Sequence, residues 1–134
     1  MIKVRIKDYE YQIKFITEEE EEYIEAFADA GDIRYLGLCD MAEQVIYIIS
    51  DIQKEERMVE TIKHELVHAF IDAYCLKNEK DKYSEEFICD FVAAYSSEIN
   101  KLADDIYKQY RYKLLNAKTK ELEALEGDID GIHE

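Results

Sequence analysis

The chain has 134 residues and a formal net charge of −15 at pH 7, with 48% hydrophobic and 37% charged residues. This length suits one domain, and the apolar fraction excludes an intrinsically disordered chain. The negative charge argues against direct binding of nucleic acid, because proteins that bind the phosphate backbone present basic surfaces. No apolar run approaches the roughly 20 residues that span a bilayer, and the N-terminus does not look like a signal peptide. We therefore expect a cytoplasmic protein without a membrane partner.

The first half of the chain predicts four strands and one short helix. Residues 2 to 7 and 10 to 16 alternate apolar and polar side chains, which predicts two strands joined as a hairpin. Thr17 and Glu20 form a capping-box pattern, and the apolar spacing after them predicts a helix of about 13 residues that ends at Gly31. The runs "RYLGLCD" and "EQVIYIIS" predict two further strands. We interpret the second of these as a sheet edge that an extended peptide can join.

The second half of the chain is predicted to be helical. Helical spacing runs from about residue 54 to 76 and again from 85 to about 107, with a polar break between them. A last helix is predicted to reach Leu125, and residues 127–134 are predicted to be a flexible tail. We therefore predict one α+β domain over residues 1–126, in which a twisted sheet of about four strands packs on the first long helix.

Three cysteines, Cys39, Cys75 and Cys89, are an odd number without a CxxC spacing. This pattern argues against a disulfide framework and against a zinc site made of thiolates. We interpret all three as small buried thiols.

The first long helix is apolar around most of its circumference, except for one narrow polar stripe that is not an ordinary solvated face. The stripe consists of Thr61, His64, Glu65, His68 and Asp72. Side chains four residues apart on a helix are neighbours, so His64 and His68 can bind one metal ion. HELVH at 64–68 is an HExxH motif, in which Glu65 acts as the general base for the attacking water. Asp72 is predicted either to hold the His68 ring or to be an ordinary cap or salt-bridge partner.

Two histidines do not complete a catalytic zinc site, which usually has three protein ligands and one open position. The extended metzincin pattern is excluded, because Ile71 and Tyr74 stand where that pattern needs glycine and histidine. On the second long helix, Glu86 and Asp90 interrupt a core-like pattern at a spacing of four residues. The third ligand is therefore expected on that helix.

The pair Glu86 and Asp90 resembles the ExxxD signature of the gluzincins, the thermolysin-like branch of HExxH peptidases. The resemblance implies that Glu86 is the third zinc ligand and that Asp90 accepts the ring proton of His64. Glu85 is the alternative ligand. It faces about 100° away from Glu86, and only Glu86 shares a face with Asp90.

The same region resembles the ImmA/IrrE-type metallopeptidases of mobile elements and bacterial stress responses. The matching residues are Arg57, Thr61, the HELVH core, Glu86, Asp90 and Ala93. The resemblance covers roughly residues 33 to 97, and its specific parts are the HExxH motif and the second-helix glutamate. Val67 departs from the glycine that is usual between the two histidines, and no helix-turn-helix pattern accompanies the peptidase unit. Targets in that family are typically DNA-binding repressors, which implies a protein substrate.

We therefore expect a zinc metallopeptidase that hydrolyses a peptide bond in a protein substrate, with Glu65 as catalytic base and with His64, His68 and Glu86 as ligands. The alternative is a non-catalytic acidic interaction protein of a phage or other mobile element, such as a DNA mimic or an inhibitor, with structural zinc or none. The intact HELVH motif favours the enzyme, because a purely structural site would not need Glu65. The sequence names neither the substrate nor the oligomeric state.

Overall fold

The computed structural model describes residues 1–28, 35–76 and 84–132, with side chains as far as Glu126. Within these ranges the chain forms an α+β fold with four strands and three helices. The elements in chain order are β1 (Ile2–Ile6), β2 (Tyr9–Ile16), α1 (Glu21–Ala26), β3 (Gly37–Asp40), β4 (Val45–Ile49), α2 (Glu55–Ala73) and α3 (Glu85–Ile132). The predicted α+β class and the predicted number of strands are confirmed.

The four strands form one mixed sheet in the order β1, β2, β4, β3. β1 and β2 are an antiparallel hairpin, as predicted, with Ile2 opposite Ile13. β4 lies parallel to β2 and antiparallel to β3, so Ile46 stands between Ile13 on one side and Cys39 on the other. The prediction that β4 is a sheet edge is therefore wrong. Its run VIYII is apolar on both faces, as is typical of an inner strand, and β3 is the outer strand on that side.

Both long helices pack on the sheet and on each other. The residues that α2 buries recur at helical spacing and are Met58, Thr61, Ile62, Glu65, Leu66, Ala69, Phe70 and Ala73. The apolar members of this row join Ile13, Ile46 and Ile48 of the sheet in one core cluster. α3 adds Ile99 and Ala103 to the same core. The HELVH segment therefore belongs to a helix that the core holds firmly.

The predicted start of the first helix is wrong. α1 begins at Glu21, because Thr17 and Glu20 form a turn that precedes it. The Glu20 carboxylate still accepts a hydrogen bond from the backbone N–H of Thr17 at 3.2 Å, so the capping-box contact forms outside the helix. The predicted length and end are wrong as well, because α1 has six residues and ends at Ala26 with Phe27 as its C-cap. Gly31 itself and residues 77–83 of the predicted polar break lie outside the described residues.

The two helices predicted after residue 84 are one continuous helix, α3, of 48 residues. No proline or glycine interrupts residues 85–126, which explains the continuity. The backbone of the predicted tail is helical as far as Ile132, and residues 133 and 134 lie outside the described ranges. The flexibility of the tail stays a prediction. Despite its length, α3 is too polar to cross a membrane, and no other described helix could do so.

Candidate functional site

The polar stripe of α2 divides into a buried row and an exposed row. Thr61 and Glu65 are buried, with 6% and 5% of their surface exposed. His64 and His68 are exposed. The difference follows from helix geometry, because neighbouring residues point about 100° apart while residues four apart share a row. The HELVH motif thus sets a buried carboxylate beside two accessible imidazoles.

The two imidazoles of the motif lie close enough to share one metal ion. The ring centroids of His64 and His68 are 5.1 Å apart, and their planes are inclined by 71°. Partial burial, with a smaller effect of His64, lowers the pKa of His68. The lowered pKa favours the neutral ring, which has a nitrogen lone pair for a metal. These rings suit two of the ligand positions of a zinc ion.

Burial raises the pKa of Glu65 from its ordinary value of 4.5 to about 7. Desolvation is the whole cause, since it disfavours the charged form of a carboxyl group. Cys39 on β3 is half-buried close by. Burial, aided by the charges of Glu65 and Asp72, raises the pKa of its thiol to about 12. Cys39 is therefore a neutral thiol at pH 7 in the metal-free protein.

β3 approaches α2 very closely at Gly37. A Cβ atom at this position would lie 2.9 Å from Thr61 Cγ2, 3.0 Å from the backbone oxygen of Tyr47 and 3.1 Å from Glu65 Cγ. Any side chain here would push the outer strand away from the helix. The sequence carried a signal for this contact, because a glycine inside an apolar strand often marks a close approach of backbone. Gly37 thus brings the edge of the sheet directly beside Glu65.

Gln53 links the HELVH helix to both strands next to it. Its Nε2 donates hydrogen bonds to the backbone oxygens of Leu36 at 3.0 Å and of Ile49 at 2.6 Å. Its Oε1 accepts a hydrogen bond from Thr61 Oγ1 at 2.7 Å. Sequence reasoning missed this residue, and no local pattern marks it, because its partners belong to three separate segments. The three bonds fix the position of α2 relative to β3 and β4.

Two clefts meet at His64. One, of about 270 Å³, lies between β3 and α2 and is lined by Tyr35, Leu36, Gly37, Arg57, Glu60, Thr61, His64 and Glu65. The other, of about 460 Å³, lies between α2 and α3 and is lined by His64, Val67, His68, Ile71, Phe87, Ile88, Phe91 and Val92. The first cleft contains the charged groups, whereas the second is apolar apart from the two histidines. A ligand at the histidines would therefore contact both environments.

α3 presents apolar side chains to the histidines. Its start is capped by Ser84, whose Oγ accepts a hydrogen bond from the backbone N–H of Phe87 at 3.2 Å. Glu86 therefore lies in the first turn and is exposed. Glu86 and Phe91 point about 140° apart around the helix, because each residue advances by about 100°. Phe91 faces the apolar cleft, so Glu86 points away from it.

The predicted second-helix site residues are not gathered around the histidine pair. Glu85, Glu86 and Asp90 are exposed, and none of them lines either cleft. In the parts of the chain that the structure describes, no three His, Cys, Asp or Glu side chains group as a metal site. The roles of Glu86 as ligand and of Asp90 as partner of His64 stay predictions, as does the choice between Glu85 and Glu86.

Asp72 has a partner from the sheet. Its Oδ2 accepts a hydrogen bond at 2.8 Å from the hydroxyl of Tyr11, whose side chain is fully buried on β2. Burial and this bond raise the pKa of Tyr11, so its hydroxyl stays a donor. Asp72 thus anchors the end of the HELVH helix to the hairpin, and its predicted contact with His68 stays untested.

The prediction that all three cysteines are buried is wrong for two of them. Cys75 and Cys89 are exposed, and Cys39 is half-buried. Cys75 follows the end of α2 in a left-handed conformation with φ of 53°, and Cys89 lies on the solvent side of α3. Composition could not separate these environments, because a small thiol suits either one.

Comparison of the chain with models of known protein families, with curated proteins and with solved structures found no match. The interpretation of the site therefore rests on its own geometry and chemistry.

Proposed function

We propose that the protein is a zinc-dependent metallopeptidase with a zincin-like fold, in which His64 and His68 hold the metal and Glu65 is the general base. One observation carries the proposal. Two exposed imidazoles, with ring centroids 5.1 Å apart, lie beside a carboxylate that is only 5% exposed. An ordinary surface pair of histidines would not need a buried carboxylate between them, and burying one costs free energy.

The donor set fits zinc, which binds imidazole nitrogen and carboxylate oxygen. The lowered pKa of His68 favours metal binding, because a ring that ligates a metal must be free of its second proton. Glu86 is the third ligand that the likeness to gluzincins suggests. Because it is exposed and points away from the apolar cleft, its coordination would require the first turns of α3 to rotate toward the histidines.

Bound zinc would polarise the scissile carbonyl and lower the pKa of a water ligand. The protein side chains manage the proton and the geometry. Glu65 takes a proton from the attacking water and returns it to the amide nitrogen as the peptide bond breaks. In this proposal the same rotation of α3 would let Asp90 accept a hydrogen bond from the ring N–H of His64, and Asp72 would accept one from the ring N–H of His68, which would orient both imidazoles.

An extended peptide is the substrate that the surroundings of Glu65 favour. Within the described ranges no strand pairs with the outer side of β3, so its backbone groups can accept an added strand. Gly37 holds that strand next to Glu65. The apolar cleft beyond His64 can take an apolar substrate side chain. The resemblance to ImmA/IrrE-type enzymes extends the proposal to a DNA-binding repressor as the protein substrate.

The second candidate is a non-catalytic acidic interaction protein, such as a DNA mimic or an inhibitor. The net charge of −15 favours it, because such a charge attracts basic partners. This candidate predicts salt-sensitive binding to a basic DNA-binding protein that needs neither metal nor Glu65.

A cleavage assay separates the two candidates. The zinc-loaded protein is incubated with a peptide library and with basic DNA-binding proteins, and products are identified by mass spectrometry. We expect cleavage that a chelator abolishes, that Glu65→Gln abolishes without loss of zinc, and that Glu56→Gln on the same helix leaves unchanged. Binding of a basic protein without cleavage, unaffected by chelator or by Glu65→Gln, would replace the enzyme with the acidic interaction protein.

A further inference from the structure

Beyond Tyr110, α3 continues outside the buried core. Ile106 is fully buried and Tyr110 stacks on Phe15 with 4.0 Å between ring centroids, whereas every side chain from 111 to 126 is exposed. Lys113, Leu114 and Ala117 of this segment still line a cleft with the β1–β2 hairpin. The other exposed apolar side chains of this projecting segment are available to a partner outside the core.

The charges of the projecting segment do not stabilise it as an isolated helix. Its basic residues come first and are Arg111, Lys113, Lys118 and Lys120. Its acidic residues follow, toward the C-terminal end, and are Glu121, Glu123 and Glu126. The helix macrodipole favours the reverse order, and pairs with Glu preceding Lys are more stabilising than pairs with Lys preceding Glu. The charges therefore contribute little to the stability of this segment on its own.

One face of the projecting segment carries a regular apolar stripe. Tyr112, Leu115, Leu122 and Leu125 have 69%, 58%, 61% and 59% of their surface exposed. Tyr112, Leu115, Thr119 and Leu122 follow one another at spacings of three, four and three residues. This is the a and d spacing of a coiled coil over two heptads, with Leu115 and Leu122 at d positions and Leu125 at a g position beside them. The stripe therefore fits another helix rather than a sheet or a small ligand.

We propose that the partner is a second copy of this chain, and that residues 111–126 of the two copies form a parallel two-stranded coiled coil. With Tyr112 and Thr119 at a positions, Lys118 occupies a g position and Glu123 the following e position. In a parallel pair these positions face each other, so Lys118 of each copy meets Glu123 of the second copy. Because the dimer would have two-fold symmetry, this attraction would occur twice.

The same charges disfavour an antiparallel pair. In that arrangement g positions face g positions and e positions face e positions, so Lys118 at g could not meet Glu123 at e. The attraction between these two side chains would then be lost. Charge complementarity thus selects both the partner and its direction.

Sedimentation equilibrium of the full chain over a range of concentrations tests the apolar stripe. Wild type should show a monomer–dimer equilibrium, and Leu115→Glu combined with Leu122→Glu should be monomeric throughout. Ala124→Glu, an exposed position on the other side of the same helix, adds the same kind of charge and should leave the equilibrium unchanged. Near-UV circular dichroism should be the same for all variants, because these residues lie beyond the core. A monomeric wild type, or a dimer that survives both leucine changes, would overturn the proposal.

A charge-swap cycle tests the direction of the helices. Lys118→Glu and Glu123→Lys should each weaken the dimer, on the order of tenfold, because two attractive pairs become repulsive. The dimer dissociation constant of the double variant should lie within about threefold of the wild-type value, because the double variant restores both charge pairs in reversed order. If the double variant remains as weak as the single ones, the parallel arrangement is incorrect.

Discussion

Replacing Glu65 by glutamine in the metal-free protein should raise its free energy of unfolding at neutral pH. Burial lifts the Glu65 pKa from 4.5 to about 7, so the folded state holds this proton more tightly than the unfolded state does. The stability of wild type must then fall as pH rises through this window and level off above it. One pKa unit corresponds to about 1.4 kcal/mol, which gives roughly 3 kcal/mol at most. Because the adjoining cleft admits water and the glutamine amide is itself polar, we expect about 1 to 2 kcal/mol.

Urea unfolding in the presence of chelator measures this difference. The advantage of Glu65→Gln over wild type should be small at about pH 5 and reach its full value by about pH 8. Glu60→Gln is the matched control, because Glu60 lies on the same helix with an exposed carboxylate. Its effect should be close to zero and independent of pH. A wild type that is more stable than Glu65→Gln at the higher pH would refute the argument that burial destabilises this charge.

Three further sets of substitutions test the structure around the site. Gly37→Ala should lower the free energy of unfolding by about 1 to 3 kcal/mol, because the added methyl group would meet atoms at 2.9 to 3.1 Å. If urea unfolding of Gly37→Ala gives the same free energy as wild type, β3 can move aside. Tyr11→Phe should lower the free energy of unfolding by about 1 to 3 kcal/mol, because the Asp72 carboxylate loses its hydrogen-bond donor. Adding Asp72→Asn to Tyr11→Phe should recover part of that free energy. Glu86→Ala should abolish tight zinc binding in a competition with a chromophoric chelator, whereas Glu85→Ala should leave it nearly unchanged; the opposite result would make Glu85 the ligand.

The features that the sequence predicts correctly are local ones. The β1–β2 hairpin follows from alternation within one short segment, and α2 follows from apolar spacing along a single helix. The pairing of β4 between β2 and β3 could not be read in this way, because parallel pairing joins segments about thirty residues apart with no local signal. The predicted start of α1 is wrong for a different reason, because the side chains of a capping box can also close a turn.

The candidate site shows the same difference between local features, which the sequence predicts, and features that depend on packing. The relation among His64, Glu65 and His68 is set within one helix, so the motif predicts it and the structure shows it. The direction that Glu86 faces depends on how α3 is rotated against α2, and sequence spacing fixes only its relation to Asp90. Gln53 could not be predicted at all, because its bonds exist only once α2, β3 and β4 have packed together.

X-ray absorption at the zinc edge of the purified, desalted protein tests most directly whether the HELVH helix holds a catalytic zinc ion. We expect about one zinc per chain, with only nitrogen and oxygen ligands at about 2.0 to 2.2 Å, and loss of the metal in His68→Ala. Failure of the protein to retain zinc, or a sulfur ligand at about 2.3 Å, would contradict it.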